Sequence, residues 1–380
     1  MHASYRGTGL SGGRTIFTTA TSDQSYSPIT QASNSTNGIM VVSTAHIFTA
    51  LLAASSALAL PAAEKRQSQC TQPTQRRAWH TLADEEKKAY IDAELCLMGK
   101  EATLGLRGAV TKFDELQSVH VAQAELTHSV GAFLPFHRLL MRAHEYLLET
   151  ECGYTGGQPY WQEQLDAGNF KNSILLDPQT GFGGDGDDRD CVTDGPFANY
   201  VNRVGPGYTV QDSCIVRRID DSQSAMSAQE NVDVCLSQPS WATAWPCIEN
   251  EPHRGGHNGV GGQMSNPISS PGDPLFYLHH TWLDKVWWDW QKQDLPNRLS
   301  DMGGRNLQGG NEDGPGPCNG ERLFGPLPDD LPAPRIEGDS GCGTTLQHNL
   351  VMYGIVADRS IGDMMDIQGE HLCYEYVDPQ

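Results

Sequence analysis

The stretch Asp273-Pro-Leu-Phe-Tyr-Leu-His-His280, which continues to Trp282-Leu-Asp284, decides the fold of this protein. It predicts a long helix over residues 274–293. An aspartate in the N-cap position is followed by a proline at the first helical position, where no backbone N–H is needed. Four tryptophans follow, at positions 282, 287, 288 and 290. The helix therefore carries a histidine pair in its second turn, followed by four large apolar side chains.

Three further segments are predicted to be helical, over residues 84–98, 111–122 and 135–149. In the last of these, one apolar stripe at helical spacing runs through residues 136, 139, 140, 143 and 147. No run of alternating strands is comparable in strength. The predicted fold class is mainly α. Residues 181–190 and 301–343, rich in glycine, proline and aspartate, are predicted to be long loops.

Composition restricts the class of function. The chain has 380 residues, 38% hydrophobic and 19% charged, so it can bury a core. Its net charge of −21 opposes binding to nucleic acid or to an anionic membrane surface. Ten cysteines without a CxxC pair indicate disulfides formed in an oxidising compartment rather than a zinc cluster.

The first 66 residues are expected to be absent from the mature protein. Residues 1–39 are polar and are interpreted as a disordered extension upstream of the true start, Met40. Residues 40–59 are typical of a signal peptide, and residues 60–66 of a short propeptide that ends at Lys65-Arg66. The alternative is an amphipathic or membrane-anchoring helix, but the apolar run of about 14 residues is shorter than the roughly 20 that span a bilayer. We expect a secreted domain over residues 67–380, with no membrane attachment and an undetermined oligomeric state.

Histidine is the most informative residue type. Six of the 13 histidines form two groups of three: His120, His128 and His137, and then His253, His257 and His280. The i, i+4 spacing of His253 and His257 places both imidazoles on one helix face. Neutral imidazoles suit zinc, copper or iron. A pair of all-histidine triads favours copper, because dizinc and di-iron sites normally include carboxylates. The alternative for each histidine alone is a hydrogen-bonded core residue.

The segments around these histidines resemble those of the tyrosinase and catechol oxidase family, in particular the short secreted type 3 dicopper enzymes of filamentous fungi. The resemblance is carried by residues 273–284 and by four other segments. These are Phe133-Leu-Pro-Phe-His-Arg138, Glu151-Cys-Gly-Tyr-Thr-Gly-Gly-Gln-Pro-Tyr-Trp161, Arg76-Arg-Ala-Trp79 and Tyr374-Glu-Tyr376. It implies the tyrosinase central domain, a four-helix bundle that holds a dinuclear copper site. It also implies oxidation of o-diphenols, small phenolic substrates, to o-quinones with O2.

The resemblance also implies which residues hold the two copper ions. His120, His128 and His137 match the first triad, and His253, His257 and His280 match the second. In the histidine pair the family places the ligand at His280, so His279 is expected to pack within the helix, and His144 to lie one face away.

Asp284 lies four residues after His280 and is expected to accept a hydrogen bond from its imidazole. The alternatives for Asp284 are an N-terminal cap or an ion pair with Lys285.

This sequence departs from the family pattern in three places, which are residues 121–127, the C-terminal end and Arg254. Residues 121–127 contain no cysteine, so no thioether to His128 is expected, and His128 is expected to be less rigid. The chain ends four residues after Tyr376, so a C-terminal lid domain is not expected. Pro267 is in the position where relatives place a residue that gates the second copper, and a small proline there predicts an open mouth. The alternative is a plain loop proline.

Arg254 follows His253, where relatives that hydroxylate monophenols well have asparagine. A guanidinium cannot accept a hydrogen bond and so cannot orient a basic water. Weak hydroxylation of monophenols is therefore predicted, with Asn258, Glu249 and Glu251 as candidates for a substitute. Alternatively, Arg254 attracts acidic phenols or pairs with Glu251 at the surface.

Two other functions are consistent with parts of the pattern. A dioxygen-binding protein of the haemocyanin type would use the same six histidines without turnover. A secreted zinc hydrolase would use one triad and leave the other unexplained.

Overall fold

The computed structural model describes residues 70–310, 318, 320, 323–331 and 336–378. The predicted upstream extension, signal peptide and propeptide lie outside the described residues. None of the described helices combines the length and the hydropathy that a membrane span requires.

The described part of the chain is mainly helical. Its α-helices are α1 (Asp84–Gly99), α2 (Lys112–Thr127), α3 (Phe133–Cys152), α4 (Asp221–Ser224), α5 (Gln229–Leu236), α6 (Trp241–Ile248), α7 (Arg254–Val260) and α8 (Leu275–Lys292). Short strands are β1 (Thr74–Arg77), β2 (Asn202–Val204), β3 (Val210–Ser213), β4 (Asn349–Leu350), β5 (Arg359–Ser360) and β6 (Tyr374–Val377). The four predicted helices correspond to α1, α2, α3 and α8, so the mainly α prediction is confirmed.

Local capping explains where two of these helices begin. At the start of α2, the Thr111 hydroxyl accepts a hydrogen bond from the Asp114 amide at 3.1 Å, and the Asp114 carboxylate accepts one from the Thr111 amide at 2.8 Å. At the start of α8, the Asp273 carboxylate accepts from the Leu275 amide at 3.0 Å. The same carboxylate binds the buried Arg217 guanidinium through two hydrogen bonds of 2.8 and 2.9 Å. Asp273 therefore caps α8 and also fixes it to the loop before α4.

Helices α3 and α8 pack against each other in the core. His144 of α3 stacks on Tyr277 of α8 at a centroid distance of 3.8 Å, and Arg138 of α3 bonds Asp284 of α8. The residue number rises along one helix as it falls along the other, so the two helices run antiparallel. The Arg138 guanidinium also lies 3.6 Å from the ring centroid of the fully buried Trp287. The tryptophans of α8 thus build the core of the bundle.

The two ends of the described chain meet. Strands β1 and β6 pair in parallel, with Thr74 opposite Tyr374, and the Cys70–Cys373 disulfide closes the same junction. The remaining cysteines pair as Cys96–Cys152, Cys191–Cys214, Cys235–Cys247 and Cys318–Cys342. All ten cysteines are therefore in disulfides, as the sequence predicted, and the two predicted long loops are each held by one of them.

The segment from α6 to α7 is one helical path interrupted by a π-helical turn, Glu249–His253. Pro246 and Pro252 lie inside this path, and neither can donate a backbone hydrogen bond. Turns of this type are frequent at functional sites because they re-aim side chains within a helix. Here the turn ends at His253, and α7 then carries His257.

Candidate metal centre

The six predicted histidines come together from the bundle helices. The atoms available for ligation in His120, His128 and His137 all lie within 4.8 Å of one another, and a second group of the same kind contains His253, His257, His279 and His280. Helix α2 provides His120 and is followed directly by His128, α3 provides His137, and α8 provides His279 and His280. Every one of these imidazoles is buried.

Backbone carbonyls orient five of the six predicted ligands. Each of these imidazoles has its Nδ1 within hydrogen-bonding distance of one carbonyl oxygen. The pairs are His120 with Ile268 (2.8 Å), His128 with Ala124 (3.0 Å), His137 with Phe133 (2.7 Å), His253 with Glu249 (3.0 Å) and His257 with Met264 (2.5 Å). A carbonyl can only accept, so Nδ1 carries the proton and Nε2 keeps its lone pair. The backbone therefore presents five Nε2 atoms for metal binding.

The spacing of the Nε2 atoms fits a shared ion. The Nε2 atoms of His137 and His120 are 3.4 Å apart, and those of His257 and His280 are 3.2 Å apart. The carbonyl contacts of His120 and His137 leave both of their Nε2 atoms without a proton, and two such nitrogens at this distance repel each other unless a cation lies between them. Metal–nitrogen bonds of about 2.0 Å in tetrahedral geometry separate two ligand atoms by about 3.3 Å. The nitrogen spacing in each group therefore fits one bound metal ion.

The two triads face each other across a narrow gap. His137 stacks on His280 with centroids 4.1 Å apart, and the rings of His128 and His253 are 6.2 Å apart. Phe133 and Phe276 pack against rings of both triads and shield them from water. Together the residues form a dinuclear, all-imidazole, water-poor site.

Burial keeps these imidazoles neutral. It lowers the pKa of His128 to about 4, and it lowers the pKa of the other five well below the ordinary 6.5, with neighbouring imidazoles adding to the effect. At neutral pH protons therefore do not compete with a metal for these nitrogens.

His279 is held apart by a buried acid. Its Nδ1 lies 2.5 Å from Oε1 of Glu163, whose Oε2 accepts a hydrogen bond from the Ser227 hydroxyl at 2.9 Å. Burial raises the pKa of Glu163 well above its usual range. His280 is favoured as the ligand of the second triad by position, because its Nε2 lies 3.2 Å from the Nε2 of His257 and its ring stacks on His137 of the first triad.

Sequence reasoning missed Glu163 and Ser227. Neither is near His279 in the sequence, and no motif marks them. Gly256 also belongs to this arrangement, because a Cβ there would lie 2.2 Å from the His279 Nδ1. Only a glycine at position 256 leaves room for the histidine where Glu163 holds it.

Asp284 has a different role from the one predicted. Its carboxylate accepts hydrogen bonds from the hydroxyls of Tyr374 and Tyr376, each at 2.5 Å, and pairs with the buried guanidiniums of Arg76 and Arg138. The Nδ1 of His280, by contrast, has no hydrogen-bond partner. The prediction that Asp284 orients His280 is therefore wrong, because neutralising two buried arginines occupies its oxygens.

The alternatives given for Asp284 are not found either. Lys285 pairs instead with Asp289 at 2.7 Å and with Asp378 at 2.9 Å.

Glu249 lies beside both triads. Its carboxylate accepts a hydrogen bond from the amide of Ser129, directly after His128, at 2.7 Å, and its own carbonyl holds His253. Burial raises the pKa of Glu249 to about 8. Among the predicted accessory residues, Glu249 is thus the one whose hydrogen bonds connect it to a ligand of the second triad and to the residue after a ligand of the first.

The other accessory residues lie closer to the surface. Arg254 is exposed, and no ion pair joins it to any described residue, so the alternative of a pair with Glu251 is not formed. Glu251 and Asn258 are half-buried. Pro267 is exposed, in the loop whose carbonyls at Met264 and Ile268 hold one ligand of each triad.

Comparison with known proteins gives a consistent result. A family model described as the common central domain of tyrosinase matches residues 110–293, a range that contains all six histidines. Tyrosinase ustQ of Aspergillus flavus is 31% identical over 321 residues, which cover 81% of this chain and 80% of that protein. N-acetyl-6-hydroxytryptophan oxidase ivoB of Emericella nidulans is 25% identical over 387 residues, covering 87% of this chain and 100% of that protein. A variant polyphenol oxidase from Thermothelomyces thermophila superposes with a TM-score of 0.66 at 25% identity, covering 80% of this chain and 89% of that one.

Proposed function

The chain belongs to the tyrosinase family of type 3 copper phenol oxidases, and from that premise we propose that it oxidises o-diphenols to o-quinones and hydroxylates monophenols only weakly. The proposed reaction converts two o-diphenols and one O2 into two o-quinones and two waters. The observation that carries the proposal is the pair of all-imidazole triads facing each other in the core.

The donor set fits copper. Six neutral imidazoles and no carboxylate among the predicted ligands suit this metal better than the carboxylate-bridged dizinc and di-iron sites. When bound, two copper ions would supply the dioxygen binding and the two-electron oxidation.

The chain's own residues supply orientation and a charge environment. Neutral ligands leave the metal charge uncancelled, so a catecholate is attracted to the site despite the acidic surface. The aromatic shell of Phe133 and Phe276 excludes water, which strengthens that attraction.

Weak monophenol hydroxylation is proposed from the group that follows His253. A monophenol has a pKa of about 10, so its proton must pass to a base near the metal. The Arg254 guanidinium cannot accept that proton or orient a basic water. Glu249 is the acid closest to the triads by its contacts, and its carboxylate is already bonded to the Ser129 amide. Asn258 and Glu251 are the other residues that could take part.

Secretion is the proposed location, with a mature domain over residues 67–380. Five disulfides in one domain are typical of proteins that fold in an oxidising compartment. The signal-peptide pattern at residues 40–59 supports the same conclusion.

One experiment tests the function against its two alternatives. The secreted protein is analysed for bound metal and then supplied with catechol, a matched monophenol and O2, while oxygen uptake and quinone formation are recorded. Two coppers, rapid quinone formation from catechol and slow reaction of the monophenol support the proposal. Bound zinc would indicate a hydrolase, and two coppers without quinone formation would indicate an oxygen carrier.

A further inference from the structure

His128 lies just beyond the C-terminal end of α2, whereas the other five predicted ligands lie within helical turns. It follows the last residue of α2 with an extended backbone (φ −123°, ψ 144°), and the next residue, Ser129, has a positive φ of 56°. A covalent link to a cysteine is excluded, because all ten cysteines are in disulfides. The contacts that hold the His128 ring must therefore be non-covalent.

A small apolar cluster borders the first triad on this side. It contains Val121, Ala124, Val204 and Ile268, with Tyr208 and Phe324 packed against it. The Ala124 and Ile268 carbonyls are those that hold His128 and His120. The Phe324 ring lies edge-on to the His128 ring at a centroid distance of 5.9 Å. Phe324 thus joins the apolar cluster to the ligand.

Glu125 determines where Phe324 lies. This glutamate is buried on α2, three residues before His128. Its Oε1 accepts hydrogen bonds from the Phe324 amide at 3.2 Å and the Tyr208 hydroxyl at 3.3 Å, and its Oε2 accepts from the Leu323 amide at 3.2 Å. One carboxylate therefore ties the β2–β3 hairpin and the 323–324 segment to the helix turn that ends in His128.

A second side chain reinforces the same connection. The buried Gln308 accepts a hydrogen bond from the Leu323 amide at 3.2 Å, and its amide nitrogen lies 3.5 Å from the Ala124 carbonyl. That carbonyl is the acceptor for His128. The Cys318–Cys342 disulfide encloses the 323–324 segment and limits how far it can leave the helix.

We propose that Phe324 and Glu125 are positioning residues that brace His128, and thereby hold the copper of the first triad, in place of a covalent cross-link. Phe324 limits rotation of the imidazole, and Glu125 holds Phe324 in position. The brace acts on metal retention at one of the two sites. It does not depend on which phenol the protein oxidises, so its failure and the failure of the proposed function are separable.

The test measures copper release. Copper-loaded protein is reduced with ascorbate and mixed with the copper(I) chelator bathocuproine disulfonate, and release is followed for wild type, Phe324→Ala, Phe324→Leu and Glu125→Gln. Partners that orient metal ligands typically contribute 10- to 100-fold in metal affinity. We expect Phe324→Ala and Glu125→Gln to release one copper about 10-fold faster and the other at the wild-type rate. Phe324→Leu keeps an apolar side chain, and its copper release is expected to be close to the wild-type rate.

Two controls test whether the faster copper release is specific to the first triad. Asp330→Ala removes the ion pair between Arg107 and the exposed carboxylate of Asp330, and because that carboxylate bonds neither Phe324 nor Glu125, both release rates are expected to stay unchanged. In a His128→Ala background, where the first site is already disrupted, adding Phe324→Ala is expected to have no effect on the remaining copper. Wild-type rates for both coppers in Phe324→Ala would overturn the proposal. Equal acceleration of both coppers, the result of general loosening, would also overturn it.

Discussion

The imidazole rings of His137 and His280 stack face to face, with centroids 4.1 Å apart and planes inclined by 8°. One ring belongs to α3 and the first triad, the other to α8 and the second triad. The contact exists because these two helices pack antiparallel in the core. It places the two histidine triads side by side.

The ligand assignment predicts opposite results for His257, a ligand of the second triad, and for His279, whose ring lies beside it. His257→Ala removes an Nε2 that lies 3.2 Å from that of His280 and is expected to lose one copper and nearly all catechol oxidation. His279→Ala removes a ring that hydrogen-bonds Glu163 and is expected to keep two coppers. The number of copper ions per protein, measured by elemental mass spectrometry for each variant, tests both expectations. A His279→Ala protein with one copper would show that the wrong member of the pair was chosen.

Arg254→Asn is expected to raise the ratio of monophenol to diphenol turnover severalfold, because an amide can accept a hydrogen bond from a basic water and a guanidinium cannot. Matched substrates that differ by one hydroxyl provide the measurement. Arg254→Lys is the control, since it also lacks an acceptor and is expected to leave the ratio low. A high wild-type ratio that Arg254→Asn does not raise would contradict this interpretation.

Pro267→Phe is expected to slow bulky catechols more than catechol itself. The proline is exposed in the loop whose carbonyls hold His120 and His257, so an aromatic side chain there would narrow the approach to both metals. The relative kcat/KM for a bulky and a small catechol provides the measurement, and Pro267→Ala is the matched control. Unchanged relative rates would mean that Pro267 is a plain loop residue.

Asp284→Asn is expected to destabilise the protein by about 3 kcal/mol, because it leaves the buried Arg138 without its carboxylate partner. For a domain of about 310 residues, with an unfolding entropy of about 2.1 cal/mol/K per residue, the corresponding loss in Tm is roughly 5 °C. Asp289→Asn on the same helix, which removes partly exposed pairs with Lys285 and Lys292, is expected to cost less than about 1 kcal/mol. Copper content at low temperature should stay at two in both variants. Selective loss of one copper in Asp284→Asn would support the predicted role of Asp284 as a residue that orients His280.

Thiol titration of the denatured, unreduced protein is expected to find essentially no free cysteine, since five disulfides account for all ten. The peptide that contains His128 is expected to have its unmodified mass, because Cys96 is bonded to Cys152. A thioether on that peptide would contradict both the disulfide pairing and the non-covalent brace.

The sequence by itself determined the features that depend on neighbours within one or two helical turns. Capping at Asp273, the apolar stripe of α3 and the i, i+4 spacing of His253 and His257 are local, so they could be recognised without a partner. The end of α2 was placed too early, at residue 122, because no glycine or proline marks it before His128.

Only the tertiary structure decided which partner each polar side chain meets. Asp284 was expected to bond a residue one turn away on its own helix, but it bonds Arg76 and two tyrosines near the end of the chain. Glu163 meets His279 across 116 residues, and Glu125 meets the Phe324 amide across 199. A buried charge or hydrogen-bonding group takes whichever partner the packing brings within about 3 Å. That choice depends on how distant segments pack, so no local pattern in the sequence records it.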